Sequence, residues 1–285
     1  MMSKNLTVLI ILVSLLLESV GASASSSSSA SASTAFQSFF NFLPKTPGQS
    51  AGTRNQQQIE LENQLLGTIN SNSKRLDNSV EINSIVEQLE QSKWGIAEPA
   101  ISSQVKGRWK LLHTNNAETA SPIQRKAVDA SKYNIYQDIV LRNDNDNTER
   151  LIVSQVVKFG DKAQLAVDAL ASTSQYPLEE LTSRQGTGKI LGINVLGVSK
   201  VGDEAEEDVN RPNSRIDFVF DEGIFDFDGF KIPYPVPFRL PIFRDAVKGW
   251  IDITYLSDRI RISRGNKGTT FVLLKEDKID KNDEE

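Results

Sequence analysis

Two apolar stripes with a helical period occupy the stretch from Gln56 to Gln91, on either side of a polar break at 70–78. The first stripe consists of Ile59, Leu65, Leu66 and Ile69, and the second of Ile82, Ile85, Val86 and Leu89. Because residues three or four positions apart share one face of a helix, each stripe predicts a short helix with one buried face. We expect the helices to lie against the rest of the domain, or one of them to plug its end. A coiled-coil dimer is the weaker alternative, since neither stripe lasts for three heptads.

From Gly107 onward the pattern changes to alternation, with Trp109, Leu111 and His113 at every second position, as on one face of a strand. Further strands are predicted at 151–159, 163–170, 189–200, 215–221, 224–228, 249–256, 259–264 and 269–275. Turn signals such as Gly265-Asn266-Lys267-Gly268 separate them. Eight or nine strands without intervening helices favour an antiparallel up-and-down β-barrel over a sandwich. An eight-stranded barrel has room for side chains or one small ligand.

Four prolines between 233 and 241 exclude a helix or a central strand there, so this segment is predicted to be extended and at the surface. The apolar residues among and after the prolines are Phe238, Leu240, Ile242 and Phe243. They either pack across the bottom of the barrel, which we favour, or form an exposed lip that dips into a lipid monolayer.

The charge balance and the residue counts limit the chemistry that the chain can perform. The 285 residues carry a formal net charge of -5, which argues against a nucleic-acid partner and against electrostatic adhesion to anionic lipid. There is no cysteine, and His113 is the single histidine. Serine-histidine triads and most zinc sites need those residue types. We therefore expect no metal, no cofactor and no enzymatic activity.

Asp226 and Asp228 are the one pair of carboxylates that could serve catalysis, because they share a face of a short predicted strand. The favoured interpretation is that they mark the solvated face of a strand whose Phe225 and Phe227 belong to the core. An enzyme acting on a lipid through these carboxylates stays open as a third hypothesis.

Three segments of the chain have distinctive sequences. They are Ser121-Pro122-Ile123-Gln124-Arg125 with Tyr136-Gln137-Asp138-Ile139, then Pro233-Tyr234-Pro235-Val236-Pro237-Phe238, and then 249–268 with the ending Phe271-Val272-Leu273. Together they resemble the plastid lipid-associated proteins, also called fibrillins, over roughly 58–275. The resemblance implies a mostly β fold, a lipocalin-like antiparallel β-barrel of about eight strands preceded by two short helices. It places this domain at 56–276, with the helices at 56–105 and the barrel at 106–276.

The N-terminus has the features of a targeting segment. Lys4 precedes an apolar run at 6–17, which is shorter than the about 20 residues that span a bilayer. A stretch of almost pure Ser and Ala follows at 23–35, and then Phe36. This order resembles the bipartite presequences of complex plastids. It predicts that 1–35 is a bipartite targeting presequence (signal peptide plus transit-like segment), 36–55 a linker and 277–285 a disordered tail. A flexible Ser/Ala linker on a secreted protein is the alternative.

The arginines near the C-terminus have two interpretations. By alternation, Arg259 and Arg261 share one face of a strand, and Ile260 and Ile262 share the other. The arginines either lie on a solvated face, paired with acids such as Asp252 or Asp258, or Arg261 or Arg264 lies at the barrel mouth and holds the polar head of an amphiphile.

The resemblance implies a non-enzymatic protein that binds apolar small molecules or lipids, such as an isoprenoid, quinone, carotenoid or acyl chain. It also implies association with thylakoids or plastoglobules, and therefore a plastid membrane or lipid-droplet surface as partner. The alternative is a structural coat or scaffold protein without an internal ligand. The residues expected at the barrel lining or mouth are Trp109, Tyr136, Phe220, Trp250, Tyr255, Arg261 and Arg264.

Overall fold

The computed structural model describes residues 56–72, 79–115, 133–143, 148–178, 181, 189–190, 193–194, 211–234, 239–240, 248–265 and 269–276. Two helices come first, α1 (Gln56–Ser71) and α2 (Val80–Gln91), and a 3-10 helix (Ser103–Val105) follows. Ser79 caps α2, because its Oγ accepts a hydrogen bond from the Ile82 backbone N–H at 3.4 Å. Within the described ranges, neither helix is long and apolar enough to cross a membrane.

Eleven strands follow in these ranges. They are β1 (Gly107–Thr114), β2 (Asn134–Asn143), β3 (Glu149–Lys158), β4 (Ala163–Ser172), β5 (Lys189–Ile190), β6 (Ile193–Asn194), β7 (Arg215–Phe227), β8 (Phe230–Pro233), β9 (Lys248–Leu256), β10 (Ile260–Gly265) and β11 (Thr270–Glu276). All except β5 and β6 belong to one antiparallel sheet, and those two pair with each other. The expectation of a mostly β fold with two helices before the strands is confirmed.

The sheet closes on itself through β7. The first five residues of this strand pair with β9, and residues 217–227 pair with β4. The hydrogen-bonded order β4-β3-β2-β1-β11-β10-β9-β7 therefore forms a ring of eight strands. Strand β8 pairs with the end of β7, beyond the part that pairs with β9. The β7–β8 hairpin thus extends past this neighbour in the ring.

A bulge in β7 explains a difference from the predicted strands. The sequence pattern predicts one strand at 215–221 and another at 224–228, but β7 runs through both. Its pairing with β4 shifts between Asp168, which faces Glu222, and Ala169, which faces Phe220. Asp221 is therefore the extra residue of a β-bulge, which resets the alternation without ending the strand.

Strand β2 has no counterpart among the predicted strands, for a related reason. Its inward positions are Ile135, Gln137 and Ile139, and a glutamine in the middle interrupts the apolar alternation. At 189–200, the described part of the predicted strand consists of the short β5 and β6. The predictions for 1–55, 235–238, 241–247, 266–268 and 277–285 concern residues outside the described ranges.

The two helices pack on the outer face of the ring rather than plugging it. Their buried residues Leu65, Ile82, Ile85 and Leu89 form one cluster with outward residues of β9, β10 and β11. The outward residues are Tyr255, Ile260, Ile262 and Val272. The apolar stripe of each helix is thus covered by the sheet of its own chain, which leaves no stripe for the coiled-coil alternative. Val105 of the 3-10 helix instead joins the interior cluster, at the end of the ring where β1 begins.

Gly223 in β7 and Gly67 in α1 form a matched pair for testing how closely Tyr234 approaches the backbone of β7. A Cβ at Gly223 would lie 2.7 Å from Cβ of Tyr234, whereas a Cβ at Gly67 in α1 would meet nothing within 4 Å. We predict that Gly223→Ala lowers the free energy of unfolding by about 1–3 kcal/mol through overpacking. Gly67→Ala should raise it by about 1 kcal/mol through helix propensity. Urea unfolding of both variants measures the difference, and an unchanged Gly223→Ala variant would contradict the close approach of Tyr234.

Candidate functional site

An apolar cavity lies inside the ring, and each of the eight ring strands contributes to its lining. Apolar members of the lining include Leu111, Val153, Ala169, Phe218, Phe220 and Leu273. The cavity has a volume of about 90 Å³, several times the roughly 10–15 Å³ that holds one water. Drug-sized ligands occupy pockets of about 300–1,000 Å³. The cavity therefore suits a slender group better than a bulky ring system.

Three polar side chains enter this apolar lining. Gln137 of β2 and Gln155 of β3 are directly opposite each other in the sheet, and Ser263 comes from β10. The Ser263 hydroxyl is buried and has no hydrogen-bond partner among the described residues. A buried hydroxyl without a partner is costly, so the cavity offers a donor that a bound molecule can use.

Arg261 of β10 lies inside the ring with a fully buried side chain. Its Nη2 donates a hydrogen bond to Oε1 of Gln137, while its Nε and Nη1 have no partner among the described residues. Burial lowers the pKa of Arg261 to about 9, which still leaves the guanidinium charged at pH 7. The interpretation of Arg261 as part of a solvated face is therefore wrong.

Trp109 of β1 lies beside this guanidinium, deep in the ring. The Arg261 Cζ is 5.0 Å from the centroid of the Trp109 ring, which is a cation–π distance. The Trp109 Nε1–H donates to the backbone carbonyl of Val105 at 2.8 Å. Val105 of the 3-10 helix therefore contacts Trp109, and Trp109 contacts Arg261, at the end of the ring where β1 begins.

Of the predicted lining residues, Phe220 and Tyr136 adjoin the cavity, whereas Trp109 and Arg261 are buried beside it. Phe220 contacts Phe218 edge-on, with ring centroids 5.4 Å apart. The ring of Tyr136 lies between Arg108 and Lys158, with centroid distances of 5.2 Å to the guanidinium carbon and 5.5 Å to the ammonium. Phe220 thus contributes to the apolar wall, whereas Tyr136 borders the cavity while its ring contacts two cations.

Three residues expected at the lining or mouth instead belong to the outer face of the sheet. Tyr255 packs against the helices, where its hydroxyl donates to Oε1 of the buried Glu62 at 2.8 Å. Burial and the Glu62 carboxylate raise the pKa of Tyr255 above its ordinary value. Arg264 forms a two-bonded ion pair with Glu90 of α2, at 2.9 and 2.6 Å. Alternation explains the placement of Arg264, because its neighbour Ser263 faces inward. Tyr255 has the same parity as the inward Ile253, but the pairing of β9 with β10 shifts between them, and this β-bulge at Thr254 turns Tyr255 to the outer face.

Trp250 is the third of these residues. The guanidinium of Arg215 covers its ring at 3.8 Å, and the same guanidinium holds Asp252 through two hydrogen bonds of 2.6 and 2.7 Å. Asp252 is therefore engaged by Arg215 rather than by the arginines of β10. Arg259, expected to share a face with Arg261, instead precedes β10 and reaches Asn63 of α1 at 3.2 Å.

The carboxylates of Asp226 and Asp228 stabilise the β7–β8 turn. Asp226 accepts a hydrogen bond from the Gly229 backbone N–H at 2.8 Å, and Asp228 pairs with the exposed Lys162 at 3.0 Å. Among the described residues, no group of three or more His, Cys, Asp and Glu side chains is arranged to hold a metal ion. These contacts give both carboxylates a structural role in the hairpin.

Comparison with known proteins decides the family. The family model PAP_fibrillin matches residues 55–176 and 211–274, about two thirds of the chain. This chain belongs to the PAP_fibrillin family. The unmatched interval, 177–210, falls between β4 and β7 of this fibrillin-family chain.

Curated relatives agree with this assignment. The probable plastid-lipid-associated protein 12 of Arabidopsis thaliana is 38% identical over 69% of this chain and 38% of its own length. The chromoplast-specific carotenoid-associated protein of Cucumis sativus is 26% identical over 70% of this chain and 61% of its own. The chain thus spans less than two thirds of the length of these two relatives. No solved structure matches this fibrillin-family chain significantly.

Tyr255 tests the placement of the helices. We predict that Tyr255→Phe lowers the free energy of unfolding by about 1.5–3 kcal/mol, because the buried Glu62 carboxylate loses its hydrogen-bond donor. Tyr176→Phe is the matched control, since the Tyr176 hydroxyl accepts a 3.3 Å hydrogen bond from the Lys106 ammonium on a half-buried surface. This substitution should cost less than about 1 kcal/mol. Equal losses in the two variants, measured by urea unfolding, would contradict a buried Tyr255–Glu62 contact.

Proposed function

We propose that this fibrillin-family chain is a non-catalytic plastid protein that binds one slender apolar molecule inside its strand ring. The observation that carries the proposal is the apolar cavity to which all eight ring strands contribute. Closed antiparallel rings of this size enclose room for a single small ligand. We further propose that the ring is a lipocalin-like β-barrel, closed at one end by the 3-10 helix and Trp109.

The size and lining of the cavity favour particular ligands. An acyl or prenyl chain can enter a narrow apolar space, whereas a bulky quinone or carotenoid ring would require the walls to move. Burying one methylene group stabilises a complex by about 0.8 kcal/mol. A chain of several carbons therefore needs only a dry and shaped cavity for affinity, with no reactive group.

The plastid setting rests on the relatives and on the N-terminal sequence. The names of the relatives carry the terms chloroplastic and chromoplastic. A Ser- and Ala-rich stretch follows an apolar run at the N-terminus, in the order of a bipartite presequence. We propose entry through the secretory pathway, followed by association with thylakoids or plastoglobules.

The β7–β8 hairpin supports association with a lipid surface. Phe227 and Phe230 face each other across the hairpin, as do Phe225 and Ile232, so these four side chains share one face. Phe230 is 69% exposed, and Phe227 and Ile232 are each 42% exposed. Phe225 packs against the interior cluster of the ring. The apolar inner face of the ring thus continues onto an exposed ribbon.

The charges beside this ribbon have both signs, since Lys162 pairs with Asp228 and Lys231 lies opposite Asp226. Contact with lipid would therefore be apolar rather than driven by anionic head groups. A structural coat protein would use the same ribbon without filling the cavity. The two functions differ in whether the interior takes up a ligand.

Ala169 tests the interior site. We predict that Ala169→Leu weakens binding of 1-decanol at least tenfold in titration calorimetry, because the larger side chain fills the cavity that Ala169 lines. Ala166→Leu on the same strand is the matched control, since that position has the opposite parity and lies on the outer face. Binding that is equally strong in both variants, with unchanged thermal unfolding, would contradict an interior site.

The exposed ribbon is tested with uncharged vesicles. We predict that the double variant Phe230→Ser and Ile232→Ser binds phosphatidylcholine vesicles with an affinity lowered about tenfold or more, as measured in a flotation assay. The reason is that burial of each apolar side chain contributes about 1.5–3 kcal/mol. Val80→Ser on α2 is the control, since Val80 is 83% exposed but belongs to a different surface. If the control variant loses as much as the double variant, the hairpin is not the contact surface.

A further inference from the structure

The interior of the ring contains a positive charge without an opposite charge. Arg261 is fully buried, and it belongs to no ion pair among the described residues. One neutral acceptor, Oε1 of Gln137, engages its Nη2. Its Nε and Nη1 have no partner in the described part of the chain. A buried charge is unfavourable unless it is paired and fully hydrogen-bonded.

The surroundings of Arg261 offset only part of this cost. The Trp109 ring provides a cation–π contact at 5.0 Å, a weaker interaction than a desolvated ion pair. The same ring has the Lys275 ammonium 5.1 Å from its centroid. This second cation increases the positive potential at the closed end of the ring. The electrostatic field there favours an anion.

Arg261 is connected to the cavity through its neighbours. Gln137, which accepts its hydrogen bond, lines the cavity. Ser263 is two residues further along β10, on the same face of the strand, and its unpartnered hydroxyl also lines the cavity. Two guanidinium nitrogens beside the cavity and one hydroxyl in its lining therefore have no hydrogen-bond partner among the described residues.

We propose that the cavity binds a single-chain amphiphile with an anionic carboxylate head, such as a fatty acid, with the head at Arg261 and Ser263 and the tail among the apolar walls. This inference deepens the proposed function and rests on it. A carboxylate carries one charge, which balances one guanidinium, and its two oxygens accept several hydrogen bonds. A doubly charged phosphate would exceed the single interior charge of Arg261, because the Lys275 ammonium is exposed and donates to the backbone carbonyl of Gln104 at 2.7 Å. The head lies at the inner end of the ring, not at the mouth.

Chain-matched ligands test the proposal on the unmodified protein. Titration calorimetry at pH 7.5 with sodium decanoate, 1-decanol and decyltrimethylammonium bromide compares an acid, an alcohol and a cation on the same alkyl chain. Hydrogen bonds to a charged group predict that decanoate binds about 10- to 100-fold more tightly than decanol. The cation should bind most weakly, because it meets Arg261.

Variants on β10 then assign the effect to one side chain. Arg261→Met should remove the preference for decanoate over decanol while keeping the volume of the side chain. Arg264→Met is the matched control, since Arg264 is on the same strand but pairs with Glu90 on the outer face. It should retain the full preference. Circular dichroism and thermal unfolding verify that both variants fold, and Ser263→Val, with a smaller loss of preference, replaces Arg261→Met if that variant does not fold.

The outcomes separate the two proposals. Equal affinity for decanoate and decanol in the unmodified protein overturns the carboxylate site but leaves apolar binding intact. A preference that persists in Arg261→Met overturns the assignment to Arg261. If none of the three ligands binds, the proposed function and this inference fail together.

Discussion

The pairing of β7 with two strands at once determines the rest of this structure. Its first residues bond to β9 and most of its length bonds to β4, so a sheet that would otherwise have two free edges becomes a ring. Without that closure, the inward residues of β1 to β4 would face solvent or a second layer, and the sheet would have no enclosed interior. The bulge at Asp221 makes the double pairing compatible with the side-chain pattern, because it returns Phe225 and Phe227 to the inner face after Phe220.

Closure also gives the two faces of each strand different environments, because one face lies inside the ring and the other lies outside it. On β10, Ile260 and Ile262 meet the helices, whereas Arg261 and Ser263 face the interior. The helices therefore also affect the placement of β10. By covering the apolar face of β10, they hold the strand in the register that places a guanidinium inside the ring. The buried Glu62–Tyr255 contact and the Arg264–Glu90 ion pair attach α1 and α2 to that face.

Much of this architecture could be predicted from the chain alone. The helical stripes at 56–91, the strands of the C-terminal half and the overall β content follow from periodicity, which reports how each segment buries one face. Sequence could not decide which face of β10 is inside, because alternation gives two faces without naming them, and the apolar one is covered by helices. The usual rule that isoleucines lie inside and arginines outside is therefore misleading on this strand.

The same ambiguity between the two faces of a strand explains why some of the predicted site residues lie outside the ring. Tyr255 and Arg264 are aromatic and basic residues of the strand ring, but both lie under the helices. Alternation places Arg264 there, and a register shift on β9 places Tyr255 there. Gln137 and Gln155 could have been found as polar residues at inward positions of apolar strands, a signal that is informative because such residues need a partner. The unpaired donors of Arg261 become visible only once the neighbours across the ring are known.

Native mass spectrometry of the purified protein, before and after incubation with decanoate, tests the central claim that the ring encloses a binding site for one chain. The account predicts a complex with one bound molecule per protein, either a co-purified lipid identified by extraction or the added decanoate. Only the ligand-free mass, both before and after incubation, would contradict it.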